Sequence, residues 1–140
     1  AVAQRGFTLL ELLVVLAVIS LVIAAVPIVM SGGVSGLALK ADARDVADAL
    51  RHARGRAIAI NDEVVFNIDG ESGRYAVTPG ERAGALADGT EVSMAPKSAA
   101  GAVLFFPDGG STGGRITIVR DQRRYDVHID WLTGQVTVDQ

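Results

Sequence analysis

An apolar run near the N-terminus constrains this chain more than any other feature of its sequence. Between Phe7 and Met30 the only ionisable side chain is Glu11, and apolar residues continue without the spacing of a one-sided helix. A helix of about 24 residues would reach about 36 Å, enough to cross a bilayer core of roughly 30 Å. We therefore predict a transmembrane helix over residues 7–30 that contacts lipid or other helices on every side.

The apolar run has two other interpretations, a buried helix of a soluble domain and a secretory signal peptide. A helix wholly buried in a soluble domain would need the remainder of the 140 residues to wrap it, and that remainder is small. A secretory signal peptide has a shorter apolar run and small residues at its cleavage point, whereas this run continues to Met30 and Ser31. The membrane span is the favoured interpretation.

Glu11 and Pro27 are the two residues of this run that are energetically unfavourable in a membrane helix. An ionised carboxylate alone in hydrocarbon costs about 2.5 to 3.5 kcal/mol, so Glu11 needs a partner or a proton. Its place near the helix start helps, because unpaired N–H groups and partial positive charge lie there. Pro27 removes one backbone donor and clashes with the preceding turn, which predicts a helix kink or local unwinding. A proline tolerated without such an effect is the alternative.

The residues around Glu11 resemble a known processing signal. Arg5-Gly6-Phe7-Thr8-Leu9-Leu10-Glu11, followed by the apolar run, is similar to the class III signal of type IV pilins and type II secretion pseudopilins. The resemblance implies cleavage by a prepilin peptidase between Gly6 and Phe7, N-methylation of Phe7, and a role for Glu11 as the assembly carboxylate. Cleavage would create an ammonium group that this carboxylate, in the same or a neighbouring subunit, can neutralise in lipid. Because the sequence begins without methionine, we expect residues 1–6 to be a truncated leader peptide.

A second helical pattern follows the glycines at 32, 33 and 36, which we expect to loosen the chain. Apolar residues at alternating steps of four and three predict an amphipathic helix from about Leu37 to Ile60. Its apolar seam comprises Leu39, Ala43, Val46, Leu50, Ala53, Ala57 and Ile60. The other face carries Lys40, Asp42, Arg44, Asp45, Asp48, Arg51, His52, Arg54 and Arg56, where Asp48 can pair with Arg51 or His52. Residues 31–60 are thus predicted to be a linker and an amphipathic helix half.

From residue 61 onward the hydrophobic period changes to two, which predicts strands. Residues 64–68 and 74–78 flank a loop with glycines and read as a hairpin. Further strands are expected near 91–94, 103–106, 115–120, 125–131 and 135–138. Strands that follow a helix favour an antiparallel α+β arrangement. We therefore predict a β-rich domain over residues 61–140, covered on one side by the helix.

The C-terminal half resembles a narrower family. Residues 104–118, with their Phe-Phe-Pro-Asp-Gly-Gly turn, and residues 125–134 are similar to the H-type minor pseudopilins, the GspH family, to which the FimT minor pilins are related. The resemblance implies a pilin-like α+β fold, with a long N-terminal helix packed on an antiparallel two-sheet β-sandwich. It also implies a minor pseudopilin near the tip of the type II secretion pseudopilus, where other major and minor pseudopilins are partners and folded proteins are exported across the outer membrane.

Charge near the apolar run predicts the orientation of the chain. Arg5 precedes the run, and neither lysine nor arginine occurs from Phe7 through Leu39. By the positive-inside rule the leader is cytoplasmic and the β-rich domain periplasmic. We expect a single-pass protein in contact with the lipid of the bacterial inner membrane.

The sequence offers little catalytic or ligand-binding chemistry. It has no cysteine and no Gly-x-Ser-x-Gly elbow, and the run from Gly109 to Gly114 leads into a strand without the lysine of a P-loop. We interpret that run as a flexible connection. Asp126, His128 and Asp130 share a strand face and could hold a metal. A solvated outer face, with Tyr125, Val127, Ile129 and Trp131 packed inward, explains the same alternation. We expect no metal, no cofactor and no enzymatic activity, although a single-pass membrane enzyme with an intact N-terminus is a third hypothesis.

Arginines support the main competing function, a FimT-like minor pilin of a type IV pilus that binds DNA for uptake. The candidates are Arg44, Arg51, Arg54, Arg56, Arg120, Arg123 and Arg124. Interleaved aspartates and a net charge of -3 weaken the local potential, so we do not expect nucleic acid as a partner.

Overall fold

The structure of the protein, a computed structural model, describes residues 6–95 and 101–140, without the side chains of residues 25–35. Arg5, with the rest of the leader before Gly6, lies outside this described part. Tertiary contacts divide the chain into two compact units, residues 1–34 and residues 35–140. Each unit is described by itself below.

One helix, α1, extends over Leu9–Ile60. The expected loosening at the glycines is wrong, since residues 32, 33 and 36 are all helical. A glycine costs a helix only about 1 kcal/mol relative to alanine, so it does not by itself end a helix. The helix also includes Pro27, whose side chain is outside the described part, so the kink stays a prediction. Among the described residues, no helix reaches the length and apolarity needed to cross a membrane.

Eight strands follow the helix and form two antiparallel sheets. They are β1 (Val64–Ile68), β2 (Arg74–Thr78), β3 (Ala83–Ala85), β4 (Glu91–Ala95), β5 (Ala102–Phe105), β6 (Gly114–Arg120), β7 (Arg123–Ile129) and β8 (Val136–Asp139). The first sheet has the order β3-β2-β1-β5 and the second the order β4-β6-β7-β8. The predicted α+β class and every predicted strand are confirmed. The short strand β3, which pairs with β2, was not predicted.

The core of the 35–140 unit lies between α1 and the inward faces of the two sheets. Every residue of the predicted helical seam is fully buried except Ile60, which is 40% exposed. Phe66 and Phe105 are the largest fully buried side chains that the sheets contribute. The alanines at 43, 53 and 57 have short side chains, so the helix can pack closely against the sheets that carry these rings.

Two predicted orientations are wrong. Asp42 was placed on the solvated helix face but is only 7% exposed, because it bonds to the loop after β3. Trp131 was placed inward but is 67% exposed, because β7 ends at Ile129 and the tryptophan falls in the following turn. The alternation of apolar and polar residues predicts which side chains point inward only as far as the strand continues.

Candidate functional site

The predicted cleavage point lies in non-helical, exposed backbone. Helix α1 begins at Leu9, and the residues from Gly6 to Thr8 have no regular secondary structure. The Phe7 side chain is 80% exposed, and a Cβ atom at Gly6 would meet no other atom within 4 Å. The peptide bond between Gly6 and Phe7 is therefore open to a peptidase that needs extended backbone.

Thr8 caps the helix immediately after this bond. The backbone N–H of Glu11 donates to the Thr8 hydroxyl at 3.2 Å, and that of Leu12 donates to the Thr8 carbonyl at 3.1 Å. The spacing Thr-x-x-Glu is that of a capping box, which is a helix-start signal visible in the sequence itself. The cap fixes the helix start, and with it the place of Glu11 in the first turn.

Glu11 carries the first charge of α1 and has no ion pair with any residue that the structure describes. Its side chain is exposed, and no ion pair with a described residue neutralises the carboxylate. A carboxylate in the first turn is stabilised by the partial positive charge of the helix N-terminus, which is an incomplete substitute for a full cation. The site can therefore accept an ammonium group from another source.

The segment after Glu11 presents apolar side chains in every direction. All described residues from Leu9 to Ala24 are exposed, and large side chains on opposite faces, such as Leu13 at 62% and Val15 at 46%, share this exposure. The one hydroxyl among them, on Ser20, donates to the carbonyl of Leu16 at 2.8 Å and so presents no free donor. This surface suits contact with lipid chains or with other apolar helices.

The acidic row on β7 is occupied by internal interactions. Asp126 accepts from Arg124 at 2.7 Å and from Thr117 at 2.6 Å, and the bond from Arg124 lowers the pKa of its carboxyl. Asp130 accepts from the backbone and hydroxyl of Thr133, which lowers the pKa of that carboxyl. His128 lies 3.6 Å from Asp139. Among the described residues no group of three acidic or histidine side chains could hold a metal ion.

The glycine-rich run is an ordered turn that leads into β6. The Ser111 hydroxyl donates to the Asp130 carbonyl at 2.9 Å and accepts from Gly113 at 3.0 Å. Gly113 has a φ of 70°, and a Cβ atom there would come within 2.9 Å of Trp131. The interpretation as a flexible connection is therefore wrong, because hydrogen bonds join this turn to Leu104 on β5 and to Asp130 just after β7.

The candidate DNA-binding arginines do not form one free surface. Arg54 donates to the carbonyls of Gly109 and Thr133, and Arg56 to that of Pro79. Two others pair with carboxylates: Arg51 with Asp48 and Arg124 with Asp126. Within the described residues, Arg44, Arg120 and Arg123 are left without an ion pair.

Comparisons with known protein families match both parts of the chain. A family described as type II transport protein GspH matches residues 42–134. A second family, described as the prokaryotic N-terminal methylation motif, matches residues 2–27, which include Gly6, Phe7 and Glu11.

One relative and two solved structures are also similar to this chain. The chain is 36% identical over 138 residues to type II secretion system protein H of Xanthomonas campestris pv. campestris, covering 94% of this chain and 81% of that protein. The type IV minor pilin FimU of Pseudomonas aeruginosa matches with a TM-score of 0.62 and 14% identity over 73% of this chain and 88% of its own. The minor pseudopilin EpsH from the type 2 secretion system of Vibrio cholerae matches with a TM-score of 0.59 and 14% identity, over 71% and 94% of the two chains. The two structural likenesses show a pilin-like fold.

Proposed function

Because the chain belongs to the GspH family of type II transport proteins, we propose that it is a minor pseudopilin of a type II secretion system. The observation that carries this proposal is the 36% identity to a type II secretion system protein H along nearly the whole chain. In this role the subunit joins other pseudopilins near the tip of the pseudopilus and helps folded proteins cross the outer membrane. The role is structural, with no catalytic step.

The N-terminal segment supports processing and membrane anchoring. An accessible bond before Phe7 and the matching methylation motif fit cleavage by prepilin peptidase, followed by methylation of the new N-terminus. The all-round apolar surface after Glu11 fits storage in the inner membrane as a single span, with residues 35–140 in the periplasm.

Glu11 supports an electrostatic account of assembly. Its carboxylate has no cation beside it among the described residues, and an unpaired charge is costly in hydrocarbon. An ammonium group on the processed N-terminus of a neighbouring subunit would neutralise it as apolar helix surfaces pack together. The same pair would then favour one register between adjacent subunits.

Mass spectrometry and co-assembly test this function. Full-length protein expressed with prepilin peptidase is expected to begin at a methylated Phe7, and Glu11→Leu is expected to be processed yet absent from filaments made with partner pseudopilins. Ser20→Ala is the matched control within the same apolar segment, because its hydroxyl bonds only inside its own helix. Uncleaved protein would contradict the processing role, and normal incorporation of Glu11→Leu would contradict the assembly role.

DNA binding is the alternative function, and the arginine contacts argue against it. Four candidate arginines are already bonded within the chain, which leaves a small cationic surface. A protein that contacts several phosphates loses affinity steeply as salt rises. A gel shift at low salt that weakens steeply with added salt would favour the DNA-binding alternative.

A further inference from the structure

Two elements of the 35–140 unit bring cationic side chains together near the start of that unit. Gly36, Lys40 and Arg44 are four residues apart and form one row along α1. The β6–β7 hairpin brings Arg123 against this row. A Cβ atom at position 36 would overlap the guanidinium of Arg123, so the glycine allows that group to lie directly on the helix.

A groove continues this cationic row along the helix. It has a volume of about 470 Å³, and Lys40, Arg44 and Arg51 line it together with Tyr125 and Val138. Tyr125 follows Arg123 by two residues on β7, so both side chains lie on the same face of that strand. The groove is therefore continuous with the end of the hairpin.

Most charges of this surface are not neutralised by described residues, the exception being Arg51, which pairs with Asp48. Arg120 lies directly opposite Arg123 in the β6–β7 register, and like charges in that position destabilise a strand pair. The Nη1 atom of Arg120 is buried and has no hydrogen-bond partner in the described part of the chain. No ion pair with a described residue involves Lys40, Arg44, Arg120 or Arg123. An anionic ligand beside Arg123 would relieve this like-charge contact.

We propose that these four residues, Lys40, Arg44, Arg120 and Arg123, contact the anionic phospholipid headgroups of the membrane that holds the apolar segment. The proposal rests on the membrane anchoring proposed above. Gly36 follows Met30 by six positions, so any backbone path keeps it within about 22 Å of the end of the apolar run. The headgroup layer beside a bilayer core is about 6 Å thick. The segment from Met30 to Gly36 and the long cationic side chains together are long enough to reach it.

The charge distribution of the chain favours binding of lipid phosphates at this cationic surface and disfavours binding elsewhere on the protein. The whole chain carries a net charge of -3, so an anionic membrane repels most of it and attracts only this cationic surface. Each lysine or arginine near an anionic membrane strengthens binding about fivefold. The contact holds the 35–140 unit at the membrane surface and must break when the helix leaves the bilayer for the filament.

A single fluorescent label on the full chain tests this contact. The protein has no cysteine, so Gln122→Cys at the hairpin turn gives one labelling site, and Leu132→Cys gives a comparison site in the turn between β7 and β8. The chain is reconstituted in vesicles of phosphatidylcholine alone or of equal parts phosphatidylcholine and phosphatidylglycerol, each containing a headgroup-attached quencher. We expect quenching at position 122 only in the anionic vesicles, with loss of quenching in 0.5 M salt, a chosen condition that screens charges beyond about 4 Å.

Matched charge variants make the test specific. Lys40→Gln with Arg123→Gln is expected to weaken the hairpin contact about 25-fold, at roughly fivefold for each cation. Arg74→Gln with Arg82→Gln removes the same charge from exposed positions at and just after β2, and it is expected to leave the quenching unchanged.

Flotation of the same vesicles separates the two proposals. If the chain floats with both lipids but position 122 is never quenched, or is quenched equally in both, the headgroup contact is refuted and anchoring stands. If the chain floats with neither lipid, both proposals are refuted. If a single-stranded oligonucleotide displaces the anionic vesicles from the label at equal phosphate concentration, nucleic acid is the preferred ligand and the proposal is overturned.

Discussion

Asp42 shows how one residue joins the helix to the sheet loops. Its carboxylate accepts from the backbone N–H of Ala87 at 3.2 Å and from the Thr90 hydroxyl at 2.9 Å, and the side chain is only 7% exposed. Asp42 shares a predicted helix face with solvated charges, yet it lies three residues after Leu39 and four before Val46, both on the buried seam. This helical spacing was the available signal.

Replacing Asp42 tests that interpretation. Asp42→Ala leaves two partly buried donors without an acceptor, so we expect it to lower the free energy of unfolding by about 1 to 3 kcal/mol. Asp48→Ala, which breaks an exposed pair with Arg51, is expected to change it by less than about 0.5 kcal/mol. Urea denaturation measures both variants. Equal effects would contradict a structural role for the buried carboxylate.

The carboxylates of Asp126 on β7 and of Asp130 just after it predict an acid-dependent stability. The pKa of Asp126 is lowered by the bond from Arg124, and that of Asp130 by the bonds from Thr133. A carboxyl whose pKa is lowered in the folded state stabilises the fold at pH values above its unfolded pKa of about 3.9. This stabilisation is lost as the pH falls through the folded pKa. We expect Asp126→Asn to flatten this loss in unfolding curves measured from pH 6 to pH 2, the range that brackets about 3.9. Asp88→Asn, at an exposed loop position, should retain the wild-type slope.

At the scale of elements, the hydrophobic periodicity of the sequence predicted the helical seam and the regular strands. It did not predict the short strand β3 or the point at which β7 ends. The helical seam and the first hairpin follow from regular spacing of large apolar residues. Strand β3, whose sequence is Ala-Gly-Ala, carries no such alternation and exists because β2 pairs with it. The exposure of Trp131 depends on Asp130, which accepts from the N–H groups of Leu132 and Thr133 and so ends the strand in a turn.

The site was predictable to a similar degree. Gly6, Phe7 and Glu11 lie within one short motif, so a short sequence window was enough to predict them, and their roles stay a prediction. The cationic surface was not predictable in this way, because Arg123 meets Gly36 only after a hairpin from the far end of the sequence folds against the helix. Contacts between residues so distant in sequence have no local signature.

Truncations along the helical seam test its predicted energetics. Leu50 is fully buried, so Leu50→Ala is expected to lower the free energy of unfolding by about 2 to 5 kcal/mol. Ile60 belongs to the same predicted seam but is 40% exposed, and Ile60→Ala is expected to cost less than about 1 kcal/mol. Urea titration of the two variants measures the difference. A similar loss in both would show that the core continues to the end of the helix.

At the scale of the whole molecule, burial is unevenly divided between the two units. Among the described residues, every member of the hydrophobic core lies in the 35–140 unit, from Leu39 to Val136. The described apolar residues of the other unit are exposed, which leaves them available for the lipid or helix contacts proposed above. The core that stabilises the fold therefore uses only the C-terminal part of α1 among the described residues.

This division predicts that a fragment of residues 35–140 folds without the apolar segment. The fragment retains both four-stranded sheets and the helical seam that covers them, and a core of this kind supports two-state unfolding in a domain of its size. We expect purification without detergent, dispersed amide resonances and one cooperative urea transition with a slope of about 1 to 3 kcal/mol per molar urea. Leu50→Ala in the fragment should cost the same free energy as in the full chain. A broad transition, or a markedly smaller effect of Leu50→Ala, would mean that residues before 35 stabilise the core.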